Sequence, residues 1–168
     1  RSFWESIIGA ESFFLEYTES PAYREWDWED IQRPDIVMSN KSYLSIISPK
    51  GASSPEFDFI PQRINIFDNR LPLDRNIPDA PLNKSFSDVI VIVGKEWSSV
   101  DEIFSYEPLD KKRSEIEFLM DRDDLPFVLS KRYKMRASTF ILDVLLTNNS
   151  GKRLEGSYSL VVFLSMDD

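Results

Sequence analysis

The apolar positions of the first twenty residues repeat at helical spacing, and those of the remaining chain do not. Phe3, Ile7, Ala10, Phe14 and Tyr17 recur three or four residues apart, with Trp4, Ile8 and Leu15 widening the stripe. That is the pattern of a helix laying one face on a core. Ser2 followed by Glu5 makes a capping-box pattern, and Pro21 supplies a stop, so an amphipathic helix is predicted over 2–19. Residues 22–35, with Trp26-Asp27-Trp28-Glu29-Asp30 at their centre, read as an irregular connection or a single short turn before Pro34.

Beyond Pro34 the punctuation changes. Short β-branched or apolar runs at 36–38, 43–47, 57–60, 64–67, 86–93, 127–133, 139–146 and 158–164 alternate with Pro, Gly, Asn and Ser. About eight strands at uneven spacing predict an all-β fold, a jelly-roll-like β-sandwich behind the N-terminal helix. The proline-rich stretch 68–83 reads as a long loop or crossover. The division this implies is a helical acidic arm at 1–35 and a β-sandwich domain at 36–168. Thr147-Asn148-Asn149-Ser150-Gly151 carries the residues of a tight turn, which predicts a hairpin between the last two strands. In it Phe140, Leu142, Val144 and Leu146, and likewise Tyr158, Leu160, Val162 and Leu164, share core-facing sides.

Composition removes much chemistry. The 168 residues contain no cysteine and no histidine, which excludes disulfides, thiolate and imidazole metal ligands, Cys nucleophiles and His-based triads. Five scattered glycines form no phosphate-cradling loop, and no Gly-x-Ser-x-Gly elbow occurs. No cofactor and no metal is expected. Asp121-Arg122-Asp123-Asp124 is the tightest carboxylate cluster but lacks the regular ligand spacing and bend glycine of a calcium loop, so it reads as a solvated loop. A pair of carboxylates converging in space, as a glycosidase needs, is left open, because nothing in the sequence selects the pair.

The net charge of −9 is unevenly spread. Residues 1–35 hold nine acids and three bases, whereas 129–153 hold six bases and one acid. Alternation sets Arg132, Lys134 and Arg136 on one face of a strand and Tyr133 and Met135 on the other. With Lys152 and Arg153 they form a basic surface able to receive an acidic arm or phosphates. Trp26 and Trp28, with Phe57 and Phe59, make an aromatic-acidic group that either docks a partner or packs the arm onto the sheet. Apolar runs of five residues are far short of a membrane span. The chain starts at Arg1, as an excised or processed form does, and nothing resembles a signal peptide. The sequons at Asn40, Asn83 and Asn148 then read as chance, and the protein as intracellular, in host cytoplasm or nucleus if viral.

One stretch resembles a known family. Phe86-Ser87-Asp88-Val89-Ile90-Val91-Ile92-Val93 is followed by Asp101-Glu102-Ile103-Phe104 and then by Leu129-Ser130-Lys131-Arg132-Tyr133-Lys134-Met135-Arg136. This order is similar to that in geminivirus-type coat and nuclear-shuttle proteins of plant viruses. There an apolar strand leads to an Asp/Glu-Leu-Phe-like element and a basic strand with Arg-Tyr or Arg-Phe. The resemblance covers 86–136 and implies a single jelly roll whose helical arm clasps neighbours. The family's N-terminal region is basic whereas 1–35 here is acidic, so the resemblance implies subunit contact more than DNA binding. The leading expectation is a non-catalytic, self-associating structural or protein-interaction module, viral capsid-like or movement-type. Two alternatives stand beside it: a nucleic-acid-binding module using strand 131–136, and a carboxylate-only carbohydrate-active enzyme.

Overall fold

In the computed structural model of the chain, residues 6–10, 22–26, 34–67 and 85–164 are described. They form twelve strands: β1 (Ala22–Trp26), β2 (Asp35–Ser39), β3 (Tyr43–Ser48), β4 (Ser53–Phe59), β5 (Ile64–Asn65), β6 (Ser87–Ile92), β7 (Lys95–Ser98), β8 (Ser105–Pro108), β9 (Glu115–Met120), β10 (Phe127–Met135), β11 (Phe140–Asn148) and β12 (Gly156–Val161). All pairings are antiparallel, in sheets ordered β1-β2-β3-β4-β5, β11-β10-β9-β8 and β12-β6-β7. A bridge between Ser54 and Ser85 links the first sheet to the third. The expected all-β sandwich is what the chain forms, and all eight runs read from the sequence fall on strands.

Alternation explains the core. β10 sends Phe127, Leu129, Lys131, Tyr133 and Met135 inward, and the facing register on β9 adds Ile116, Phe118 and Met120. Against them pack Ile36 and Met38 of β2, Ile47 of β3 and Ile90 of β6. Fully burying a side chain of this size contributes about 1.5–3 kcal/mol. Residues 6–10 are helical, and Ile8 is buried against Leu44 and Ile60 on the other face of the first sheet. The rest of the helix predicted over 2–19 lies outside the described residues, as do Trp28 and the loop predicted at 68–83.

Two expectations change. The connection expected at 22–35 contains β1, whose five residues pair with β2 from Ala22↔Ser39 to Trp26↔Asp35. The hairpin expected between the last two strands does not form. β11 pairs with β10 along nine residues, through a two-residue turn at Ala137–Ser138 closed by Arg136 N–H donating to the Thr139 carbonyl at 2.8 Å. β12 pairs instead with β6, in the other layer. Asn148 makes the bend that carries the chain across: its Nδ2 donates to the Lys152 carbonyl (2.6 Å) and its Oδ1 accepts from Ser150 N–H (2.9 Å). The close approach of β12 to β6 depends on Gly156, because a methyl group there would overlap the Val91 carbonyl oxygen. Both β11 and β12 end as edge strands.

Candidate functional site

β9 ends at Met120, and the acidic tetrapeptide then loops back into β10. With the bend after β11 it borders an open pocket of about 390 Å³ lined by Asp121 to Pro126, Asn149 and Ser150. The two walls are tied by Asn149 N–H donating to the Pro126 carbonyl at 2.9 Å. Arg122 organises the floor. Its Nη1 donates to both oxygens of Glu102 at 2.7 Å, while Nε and Nη2 reach the two oxygens of Asp124 at 2.8 and 2.6 Å. Such forked pairing fixes a guanidinium in a plane. Glu102 also accepts from Trp97 Nε1 at 3.3 Å, and the Trp97 ring packs edge-on against Phe127 at 5.4 Å.

The electrostatics follow from that clamp. Hydrogen bonds from Arg122 hold the Asp124 carboxyl below its ordinary value, and hydrogen bonds to Asp124 and Glu102 push the guanidinium up. Asp124 therefore accepts hydrogen bonds and does not donate a proton near neutrality. Among the described residues no group of three or more Asp or Glu side chains could hold a metal ion. The pocket thus offers carboxylate acceptors, an amide and a hydroxyl around a fixed cation, a set suited to a neutral polyhydroxylated ligand.

The residues singled out from sequence are dispersed. Trp26 ends β1, and Trp28 lies outside the described residues. Phe57 stacks on Tyr43 (5.5 Å) and meets Phe140 (4.8 Å) inside the sandwich. Arg132 and Lys134 do share the outer face of β10, where they converge on carboxylates of β9 and β11. Arg132 lies 3.7 Å from Glu115 and 3.5 Å from Glu117; Lys134 lies 2.7 Å from Asp143 and 3.7 Å from Glu115. Arg136 is exposed at the far end of that strand. Lys152 and Arg153 belong to the bend after β11, roughly 30 Å away along its nine residues, and Arg153 pairs with Glu155 at 3.0 Å. The structure joins Arg132 with Lys134 but not with Lys152 and Arg153.

Sequence reasoning passed over Lys131, although alternation sets it with Tyr133 and Met135 on the inner face. Lys131 and Asp88 have fully buried side chains and pair at 2.9 Å. Lys131 Nζ also donates to the Phe86 carbonyl and reaches that of Gly51 at 3.4 Å. Phe86 takes φ +68°, a left-handed backbone rare for a bulky residue. Tyr158 of β12 donates to the other Asp88 oxygen at 2.8 Å, and Asp88 N–H donates to Ser99 Oγ at 2.8 Å. Burial drives the Lys131 amine down against the opposing pull of Asp88. A second pair, Glu56 and Asp58 two residues apart on β4, is the kind of carboxyl proximity the sequence left open, and burial pushes the Glu56 carboxyl up. It lies opposite Leu44 and Ile46 on the helix-covered face.

An all-β sandwich with a polar pocket at one end defines the class. No protein-family model and no curated protein matches the chain. Among solved structures it is similar to a 4-alpha-glucanotransferase from Thermococcus litoralis, with a TM-score of 0.63 and 19% identity. The match covers 87% of this chain and 27% of that one, so the chain spans about a quarter of that protein's length. The likeness is one of fold. It nevertheless corrects the leading expectation of a self-associating, capsid-like or movement-type module, since the neighbour is a 4-alpha-glucanotransferase. Among the described residues, no helix is long and apolar enough to cross a membrane.

Proposed function

We propose that the chain is the β-sandwich part of a carbohydrate-active enzyme working on α-linked glucan, and that its end pocket holds glucan hydroxyl groups. The carrying observation is the fold likeness to the glucanotransferase over 87% of the chain. The pocket supports it chemically. Asp121, Asp123 and Asp124 present acceptors to sugar hydroxyls, Asn149 and Ser150 add donors, and Arg122 keeps Asp124 and Glu102 oriented. Glycosyl transfer needs a carboxyl held protonated near neutrality. Asp124 is shifted the opposite way, so the pocket's part is to bind and orient glucan.

The test is thermal unfolding of the chain with maltohexaose or cellohexaose. A ligand at about 100 times its Kd stabilises by about 2.7 kcal/mol, roughly 5–10 °C in Tm for a chain of this size. Maltohexaose is expected to produce such a shift and cellohexaose a smaller one, with the Arg122→Ala variant losing most of it. No shift with millimolar maltohexaose would overturn the proposal.

A further inference from the structure

The end pocket meets a ligand with its single cation already engaged. Arg122 is the only base among the residues lining it, and four hydrogen bonds occupy its Nε, Nη1 and Nη2 groups, two with Asp124 and two with Glu102. Asp121 and Asp123 are exposed and form no ion pair or hydrogen bond among the described residues. Asp124 stays ionised, since Arg122 holds its carboxyl below the ordinary value. Four carboxylates therefore stand around one guanidinium, a formal charge of −3. Glu102 does not line the pocket, yet it is fixed through both its backbone and its side chain. Its N–H donates to the Ser99 carbonyl at 2.9 Å, its carbonyl accepts from Gly51 N–H at 2.7 Å, and the neighbouring Asp101 pairs with Lys50 at 3.1 Å. Trp97 Nε1 donates to its carboxylate at 3.3 Å, and Phe127 at the start of β10 packs against the indole ring.

We infer that Glu102 sets the charge selectivity of the pocket: by engaging Arg122 it leaves a ligand facing carboxylates and no free cation, so the site takes uncharged glucan and turns away glucan that carries carboxylate groups. The inference rests on the glucan reading for the ligand and adds which glucans are taken. Trp97 is a positioning residue in this scheme, acting on the pocket through the Glu102 carboxylate. An uncharged sugar brings hydroxyl donors that the aspartates accept. An acidic sugar brings further acceptors, which find no unspent guanidinium to pair with. One unit charge about 6 Å from another in water changes an affinity about threefold. With three uncompensated carboxylates at the pocket, an anionic glucan is expected to bind about tenfold more weakly than a neutral one at low salt, and the gap is expected to narrow as salt screens it.

Calorimetric titration of the chain with maltohexaose, and with maltohexaose oxidised at C6 to carboxylates, tests this. The readout is the ratio of the two affinities, because damage to the fold lowers both together and leaves their ratio alone. The parent is expected to favour the neutral sugar. Glu102→Gln keeps the size of the side chain, removes one charge and frees part of Arg122, so the preference is expected to fall about threefold, chiefly through a gain for the oxidised sugar. Trp97→Phe keeps a ring beside Phe127 and removes only the indole donor; it is expected to move the ratio the same way by less. Equal affinity of the parent for the two sugars would overturn the inference and leave the glucan reading standing. So would a ratio unchanged in both variants. Failure of the parent to bind maltohexaose would remove the glucan reading and this inference together.

Discussion

Replacing Lys131 by methionine keeps the length of the side chain and removes its charge, which isolates the central ion pair. In the parent, Asp88 accepts from Lys131 at 2.9 Å and from Tyr158 at 2.8 Å, with no exposure of the lysine or aspartate side chains. In the variant, Asp88 keeps only the tyrosine, and the carbonyls of Phe86 and Gly51 lose their side-chain donor. Breaking a buried pair by removing one partner costs about 3–5 kcal/mol, because the remaining charge stays buried without compensation. The carbonyl losses overlap with that figure and are not added to it. A loss of about 4 kcal/mol is a large share of the roughly 5–15 kcal/mol that hold a domain folded. It corresponds to about 8–16 °C in Tm at this chain length.

The assay is urea unfolding of the parent, Lys131→Met, Asp88→Leu and the double variant, read as a double-mutant cycle. The double variant is expected to be more stable than Lys131→Met, because a buried pair replaced entirely by apolar groups is often neutral. A single-variant loss below about 1 kcal/mol would refute the reasoning. So would a double-variant loss equal to the sum of the two single losses.

Two further outcomes follow from the same framework. Gly156→Ala is expected to separate the start of β12 from β6, since the added methyl meets the Val91 carbonyl; calorimetry should read a loss of about 1–3 kcal/mol. Burial raises the phenols of Tyr133 and Tyr158 above their ordinary 10.0, with Asp88 adding to both. Above pH 10 the unfolded chain releases protons that the folded chain keeps, so stability falls as pH rises, and Tyr158→Phe is expected to make that fall shallower in denaturant titrations at pH 9–11.

How legible the molecule was depended on whether a residue's partner could be read locally. β10 and β6 announced themselves because alternation and β-branched residues are properties of the strand alone. β9 carries an equally regular row, Ile116, Phe118 and Met120, but Glu115 and Glu117 flank its first member, and no strand is read there from the sequence. β7 and β8 are four residues each, too short for a period to register. The last turn misled for a definite reason. The Asn- and Gly-bearing bend at 147–151 looked like a hairpin, while the real two-residue turn at Ala137–Ser138 contains no glycine or asparagine. A sandwich can send consecutive strands to opposite layers, and nothing local distinguishes that crossing from a hairpin.

The same limit governs the site. The tetrapeptide Asp121 to Asp124 was visible as an acidic cluster, but its chemistry depends on Glu102, twenty residues earlier, and on Asn149 and Ser150 beyond β11. Likewise the basic strip at Arg132 and Lys134 was placed on its correct face. Its carboxylate partners on β9 and β11 came only with the register. Lys131 was within reach, since parity alone assigns it to the apolar side.

The most direct measurement is a titration of the isotopically labelled chain with maltohexaose, followed by backbone amide NMR. If the end pocket holds glucan, shifts concentrate at Asp121, Arg122, Asp123, Asp124, Leu125, Asn149 and Ser150, saturate, and disappear in the Arg122→Ala variant. Absence of saturable shifts at these residues, or shifts confined to the outer face of β10, would contradict the account.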